Sequence, residues 1–358
     1  MIKTHNFGAG PCILPDTVFE EAAEAVKDFN HSGLSVLEIS HRSNPFVEII
    51  EEARDLVLKL MGLTSKTHTA LFMHGGASLQ FAMAPYNFLN NSAGYINTGV
   101  WSKKAITEAK KVGSVRLLYD GESVDYKSVP DHQELNSLQT SGYDYVHLTS
   151  NNTIYGTQFK EFGTIDSPTI IDMSSDIFST IRDYSKFDLI YAGAQKNIGP
   201  AGTTVVIIKK EFIDGIKTND RFSMLDYRKH IEAESMFNTP TVFSIYASLL
   251  NLRWLENRSI RVISEDNSKK ASLLYQAIDK SAHLKGYAEK TSRSEMNVTF
   301  TIENSTIAAA FDKKCKEENI VGIKGHRLVG GYRASMYNAL PIQSVQLLVD
   351  IISHFDNA

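Results

Sequence analysis

Two hydrophobic rhythms run through this chain. Near the N-terminus apolar side chains return every three or four positions. Val18, Phe19, Ala22, Ala23 and Val26 follow Leu14-Pro15-Asp16, and Gly33 closes the stretch. That spacing predicts a helix with one buried face. A second helix is predicted after Pro45, with Ile49, Ile50, Ala53, Leu56, Val57 and Leu60 on its stripe and Gly62 as its stop. From residue 69 the rhythm changes to short unbroken apolar runs: TALFM (69–73), GYINT (94–98), VRLLY (115–119), YVHLTS (145–150), TIIDMS (169–174), DLIYAG (188–193) and TTVVIIK (203–209). Runs of this length and continuity fit strands buried on both faces. Gaps such as Trp101–Val112 read as helices, so the middle of the chain predicts a mainly parallel sheet covered on both sides. Ligands of such sheets bind beyond the carboxyl ends of the strands.

The texture changes near Thr239. A mostly helical region runs from Pro240 to about Ala282, followed by strand MNVTFTI (296–302), helix 305–319, strand GYRASMYN (331–338) and a final helix after Pro341. This α+β pattern predicts a second, smaller domain. No internal repeat, low-complexity tract or flexible linker interrupts the chain.

Composition narrows the class. The 358 residues are 42% hydrophobic and 22% charged, ordinary values for a soluble globular protein. The net charge of −4 comes from 37 basic and 41 acidic residues mixed along the chain, with no basic block to mark a nucleic-acid footprint. Cys12 and Cys315 are far apart and have no metal-type spacing, which reads as two reduced thiols in a cytosolic protein. The N-terminus has no apolar signal core, and no run of about 18 apolar residues occurs. We therefore expect a cytoplasmic protein that binds no metal, nucleic acid or membrane.

The candidate chemistry sits at strand ends. In YAGAQKNIGPAG (191–202) a lysine, Lys196, leaves an apolar strand into a glycine-rich turn with no charges nearby. Asp172 ends the preceding strand, 24 residues earlier, and a βαβ-like connection would bring both side chains to one sheet edge. A buried carboxylate and a buried lysine are each costly alone. One reading is a structural ion pair. The other is a pyridoxal phosphate site, in which the lysine forms an imine with the cofactor aldehyde and the aspartate keeps the pyridine nitrogen protonated. An apolar, cation-poor setting lowers a lysine pKa and frees the amine to attack.

His74-Gly75-Gly76-Ala77-Ser78 follows a strand and opens a helical segment, so its backbone N–H groups suit a phosphate or form a plain turn. Trp101 is one of two tryptophans, either a core aromatic or a ring laid flat on a cofactor. His41 and Arg42 in SHRSN, and His326, Arg327 and Arg333 in KGHRLVGGYRAS, offer forks for carboxylate or phosphate. Each cluster alone also reads as a solvated loop. Together they suggest a substrate with more than one negative group.

With these residues in view, the chain resembles the phosphoserine aminotransferase family, fold-type I pyridoxal phosphate enzymes of aminotransferase class V. The likeness runs end to end, through NFGAGPCILP, SVLEISHRS, LFMHGGASLQF, YAGAQKNIGPAG, SMFNTP and GHRLVGGYRASMYNA. It implies a large, mainly parallel α/β/α sandwich domain at 16–255, and a small α+β domain at 1–15 and 256–358. It further implies a homodimer with shared active sites. Residue by residue, the resemblance makes Lys196 the imine lysine, Asp172 the partner of the pyridine nitrogen and Trp101 the stacking ring. Ala77, Ser78, Thr153 and Gln195 would surround the cofactor, mostly its phosphate, and Asn238 and Thr239 would reach the phosphate of the neighbouring subunit. Arg333 matches the arginine that holds the substrate α-carboxylate. His41, Arg42, His326 and Arg327 match groups that grip a distal phosphate or the side-chain carboxylate of glutamate.

The implied reaction moves an amino group from glutamate to 3-phosphohydroxypyruvate, giving O-phosphoserine and 2-oxoglutarate in serine biosynthesis, with Lys196 shuttling the proton. Whether 4-phosphohydroxythreonine of vitamin B6 synthesis is also a substrate stays open. Ala9 stands where some members carry serine and Ser78 where others carry arginine, which leaves phosphate binding more to backbone N–H groups and Gln195. Two rivals remain. One is another enzyme of the same fold, such as an alanine–glyoxylate aminotransferase or a cysteine desulfurase, neither of which needs a phosphate grip. The other is an anion-binding regulatory protein without catalysis.

Overall fold

The structure, a computed structural model, describes residues 4–216 and 222–356. Residues 1–3 and 357–358 of the expected small domain, and 217–221 of the expected large one, lie outside the described residues. Each of the seven apolar runs forms a strand of one sheet: β1 (His68–Met73), β2 (Ser92–Asn97), β3 (Ser114–Asp120), β4 (Tyr145–Thr149), β5 (Thr169–Asp172), β6 (Leu189–Gly193) and β7 (Thr204–Lys209). Their order across the sheet is β1-β7-β6-β5-β4-β2-β3. Only β7 runs antiparallel to its two neighbours, so the other six share one direction.

Six of the runs are unbroken because both faces are covered; the seventh, expected as a buried strand, is the edge strand β3, which has no buried residue and leaves Leu117 45% exposed. On one face Ala70, Phe72, Val205 and Ile207 join a core with helices α1 (Asp16–Lys27) and α2 (Asn44–Leu60). On the other, the alternate residues Leu71, Met73, Val206 and Ile208 pack with α3 (Gly76–Phe88) and α4 (Val100–Ala109). Period-two side-chain alternation thus feeds two cores from one strand. A further helix, α5 (Val242–Arg258), covers the first face against α1 and α2.

Two further sequence expectations need correction. The buried face of α1 is Val18, Ala22 and Ala25, whereas Phe19 is 52% exposed and Ala23 faces solvent. Alanines at 22, 23 and 25 leave the helical phase underdetermined, and packing against α5 chose it. The connection from β5 to β6 contains no α-helix; it is a loop with one 3₁₀ turn at Tyr184–Lys186. It is pinned by a buried ion pair between Arg182 Nη2 and Asp176 Oδ2 at 2.6 Å.

Beyond α5, helix α6 (Ile260–Lys280) leads to a small antiparallel sheet of β8 (Leu284–Gly286), β9 (Asn297–Ile302) and β10 (Tyr332–Ser335). Helices α7 (Ser305–Glu317) and α8 (Ile342–Asp356) complete this unit around Leu274, Phe300, Phe311 and Leu348. Phe7 joins the same core, and His5–Asn6 pairs with Ile320–Val321, so the N-terminal segment packs with the C-terminal part of the chain. Among the described residues no helix is long and apolar enough to cross a membrane.

Candidate active site

A cavity of about 300 Å³ opens where β1, β2, β4, β5 and β6 end. Thr149 is the last residue of β4 and Asp172 the last of β5, and these strands pair in parallel with Thr149 opposite Asp172. Asp172 also lies opposite Tyr191 of β6, and five residues later the chain delivers Lys196 into the same cavity. Adjacent parallel strands of matched register therefore do what a βαβ unit would have done. Asp172 is two residues past Ile170, which faces α3 and α4, so its carboxylate reaches that side of the sheet.

The first turn of α3 supplies Gly76, Ala77 and Ser78 to the wall. Gly75 and Gly76 both have positive φ (92° and 65°), and a Cβ on Gly75 would meet Leu79 at 2.5 Å. The tight turn thus requires glycine and points the free N–H groups of the helix start at the cavity. Trp101 enters from the first turn of α4, and its indole Nε1 donates to Thr153 Oγ1 at 2.9 Å. The carbonyl of Thr153 accepts from Arg333 Nη1 at 3.2 Å, so one residue touches both the flat ring and the arginine fork.

Burial sets the electrostatics. It pushes the Asp172 carboxyl above its ordinary value, opposed by hydrogen bonds from Ser174 and by the charge of Lys196. Ser174 donates to Asp172 Oδ1 twice, from its backbone N at 2.9 Å and its Oγ at 2.6 Å, leaving Oδ2 for the cavity. Burial likewise pulls the Lys196 amine down, with Asp172 working in the opposite direction and Arg333 reinforcing the fall. The Lys196 Nζ stands 5.7 Å from the centre of the Trp101 ring. Arg333 is pressed down by burial, and its Nε has no hydrogen-bond partner among the described residues. Cys12, whose thiol donates to the Lys196 carbonyl, is pushed up to about 12 by burial, so it is no thiolate nucleophile.

The lining thus brings together Ala77, Ser78, Trp101, Thr153, Asp172, Gln195, Lys196, His326 and Arg333. It does not include His41, Arg42, Asn238, Thr239 or Arg327. His41 and Arg42 lie in the turn before α2, and Arg327 is exposed beside His326. Thr239 is exposed, its carbonyl within 3.0 Å of His74 Nε2 just beyond β1. Several lining residues were not singled out from the sequence. Ser174, two positions past Asp172 in DMSS, is legible as a local hydrogen-bonding partner for a strand-end carboxylate. Thr149 carried no signal beyond its place in a run, and Asn151 and Phe81, outside the runs, carried none.

The donor set fits pyridoxal phosphate. A buried amine would meet its aldehyde, Asp172 its ring nitrogen, Trp101 its ring face and the start of α3 its phosphate. The Thr149 hydroxyl, buried and without a hydrogen-bond partner among the described residues, adds an unused polar group on the cavity wall. Among the described residues no cluster could hold a metal ion.

Comparison with known proteins agrees with this geometry. The aminotransferase class-V family model matches residues 4–348. A phosphoserine aminotransferase of Flavobacterium psychrophilum is 54% identical over 360 residues, covering 99% of each chain. A solved structure described as radiation damage of the Schiff base in phosphoserine aminotransferase superposes with a TM-score of 0.95 at 42% identity, over 100% of both chains. The PLP-bound phosphoserine aminotransferase of Trichomonas vaginalis follows at 0.90 and 33%, covering 98% of this chain and 100% of its own.

Proposed function

The chain belongs to the class-V aminotransferases, and from that premise we propose how its residues divide the work of one reaction. The enzyme has the fold-type I architecture and uses pyridoxal phosphate. It moves an amino group between glutamate and 3-phosphohydroxypyruvate, giving O-phosphoserine and 2-oxoglutarate, the transamination of serine biosynthesis. The observation that carries the residue assignment is the meeting of Lys196, Asp172 and Arg333 around one cavity.

When bound, the cofactor supplies an electron sink for the bond broken at the substrate α-carbon. Lys196, its proton affinity lowered by burial, would hold the cofactor by its aldehyde, and its amine is the group placed to move the proton at the substrate α-carbon. Asp172, held by the two hydrogen bonds from Ser174, would offer a negative charge to the ring nitrogen. Trp101, tethered by Thr153, would pack against the ring face. Arg333 grips the α-carboxylate that both amino-acid and keto-acid substrates carry. His326 and Arg327 favour a second anion; burial, and after it the charges of Arg333 and Arg327, pull the His326 imidazole down, and an anion bound beside it would oppose that fall.

His41, Arg42, Asn238 and Thr239 have no place in the cavity of their own chain, which supports a homodimer in which each copy completes the other's site. Phe222, Met224 and Phe237 lie in the stretch before Asn238 and are 76%, 45% and 37% exposed, an apolar surface suited to such pairing. We place the dimer in the cytoplasm; neither Cys12 nor Cys315 is disulfide-bonded.

A coupled assay with glutamate as donor tests the substrate: turnover of 3-phosphohydroxypyruvate is expected to exceed that of pyruvate by orders of magnitude in kcat/KM. Equal values would count against a phosphate grip. Lys196→Ala is expected to lose the yellow colour of the holoenzyme and its borohydride-trapped adduct. A wild type that borohydride cannot trap would sink the lysine assignment.

A further inference from the structure

Arg333 stands on the small sheet, whereas Asp172 ends a strand of the large sheet, Lys196 follows another and Trp101 lies in the first turn of α4. The reach between carboxylate grip and reacting amine therefore depends on how the two sheets are joined. One hairpin contributes to the join, with Asn151–Asn152 paired antiparallel to Thr157–Gln158. Its turn carries Thr153, which touches Trp101 and Arg333 together.

The base of the hairpin is locked to β9 by buried amides. Asn151 Nδ2 donates to Asn297 Oδ1 at 2.8 Å and to Ser175 Oγ at 2.8 Å, three residues from Asp172. Asn297 in turn donates from Nδ2 to Ser335 Oγ at 3.0 Å and to the Tyr337 hydroxyl at 3.4 Å. Ser335 faces Asn297 in the β9–β10 register, and Arg333 is two residues further along the same strand, facing Thr299. Asn297 and Asn151 are 0% and 2% exposed, so their amide groups depend on these partners. The close approach is built in at Gly156, whose φ is +75° and where a Cβ would lie 2.9 Å from the Asn297 carbonyl oxygen.

We propose that Asn297 is a positioning residue: through Asn151 on one side and Ser335 on the other, it sets where the Arg333 fork stands relative to Lys196. This rests on Arg333 gripping the α-carboxylate, as assigned above. Asn297 does not line the cavity and acts only through the strand it pins.

Arg333→Ala, Asn297→Ala and the double variant of the holoenzyme test it. Both single variants are expected to raise KM for glutamate and for the keto acid together, Asn297→Ala by about tenfold. The cofactor absorption band is expected to stay unchanged. The double variant should be no worse than Arg333→Ala alone, because one residue works through the other. Calorimetric titration with glutarate, a dicarboxylate with nothing to transaminate, should show the same weakening without any turnover. Should Asn297→Ala fold poorly, Ser335→Ala cuts the same link and is expected to raise both KM values by a few-fold. If Arg333→Ala leaves both KM values unchanged, the carboxylate assignment itself is wrong. If Arg333→Ala raises them while Asn297→Ala and Ser335→Ala do not, or if the losses simply multiply in the double variant, the positioning role is refuted.

Discussion

Replacing Asp172 with asparagine isolates one charge at one place. The side chain keeps its size, and its Oδ1 can still accept both bonds from Ser174. What is lost is the negative charge offered by Oδ2 to a protonated ring nitrogen. At a separation of about 4 Å and an effective dielectric near 20, that pair is worth about 4 kcal/mol. If it stabilises the transition state for proton removal, its loss slows that step by roughly a thousandfold. The assay is a single-turnover half-reaction with glutamate, followed by the absorbance change of the cofactor, which Lys196 should still retain. Stability gives an independent arm. Burial raises the folded-state pKa of Asp172, so between its ordinary value and that raised value the folded apoprotein binds more protons than the unfolded chain. The apoprotein thus loses stability as pH rises through that window, and asparagine removes the loss. The variant apoprotein should be at least as stable as the wild type at pH 7. A half-reaction within tenfold of wild type would refute the role given to the charge. A large fall in Tm would show that Asp172 serves the fold instead.

Three further predictions test the surroundings. Thr153→Val removes the acceptor of the Trp101 indole while leaving the backbone carbonyl that binds Arg333. Titration of the apoprotein should show cofactor affinity several-fold weaker, and unchanged affinity would mean that the indole needs no tether. Arg42→Ala and Arg327→Ala should raise KM for 3-phosphohydroxypyruvate at least tenfold with little effect on cofactor loading; equal changes for pyruvate would show that neither reads the phosphate. Lys270 is buried, its Nζ within 3.0–3.2 Å of the carbonyls of Met336, Tyr337 and Leu340, and burial pulls it down to about 7. From pH 7 upward the unfolded chain holds the proton more tightly, so the wild type should gain stability relative to Lys270→Met as pH rises to 9. A flat difference in denaturant midpoint over that range would show that the amine keeps its proton.

What was readable from the sequence is what burial writes locally. Every strand of the large sheet except the exposed edge strand β3 appears as an apolar run because adjacent residues feed opposite cores, as Phe72 and Met73 do. Lys196 and Asp172 stood out because they end such runs as charges without local company. Phase was less legible: α1 turned Ala25 inward and Phe19 outward because several alanines made two faces nearly equivalent. Two-residue strands such as Asn151–Asn152 are too short to show any period. The asparagines were hidden for a different reason. Asn197 donates to the carbonyl of Ile177 and accepts from the backbone N of Asn338. Asn251 of α5 in turn holds the carbonyls of both Asn197 and Ile198. These partners lie 20 to 141 residues apart in sequence, so no local window contains them. A buried amide is tolerated only where all its partners are already in place. The turn that presents Lys196 is thus fixed by groups that read individually as loop residues, and its geometry became visible only once the two sheets were assembled around it.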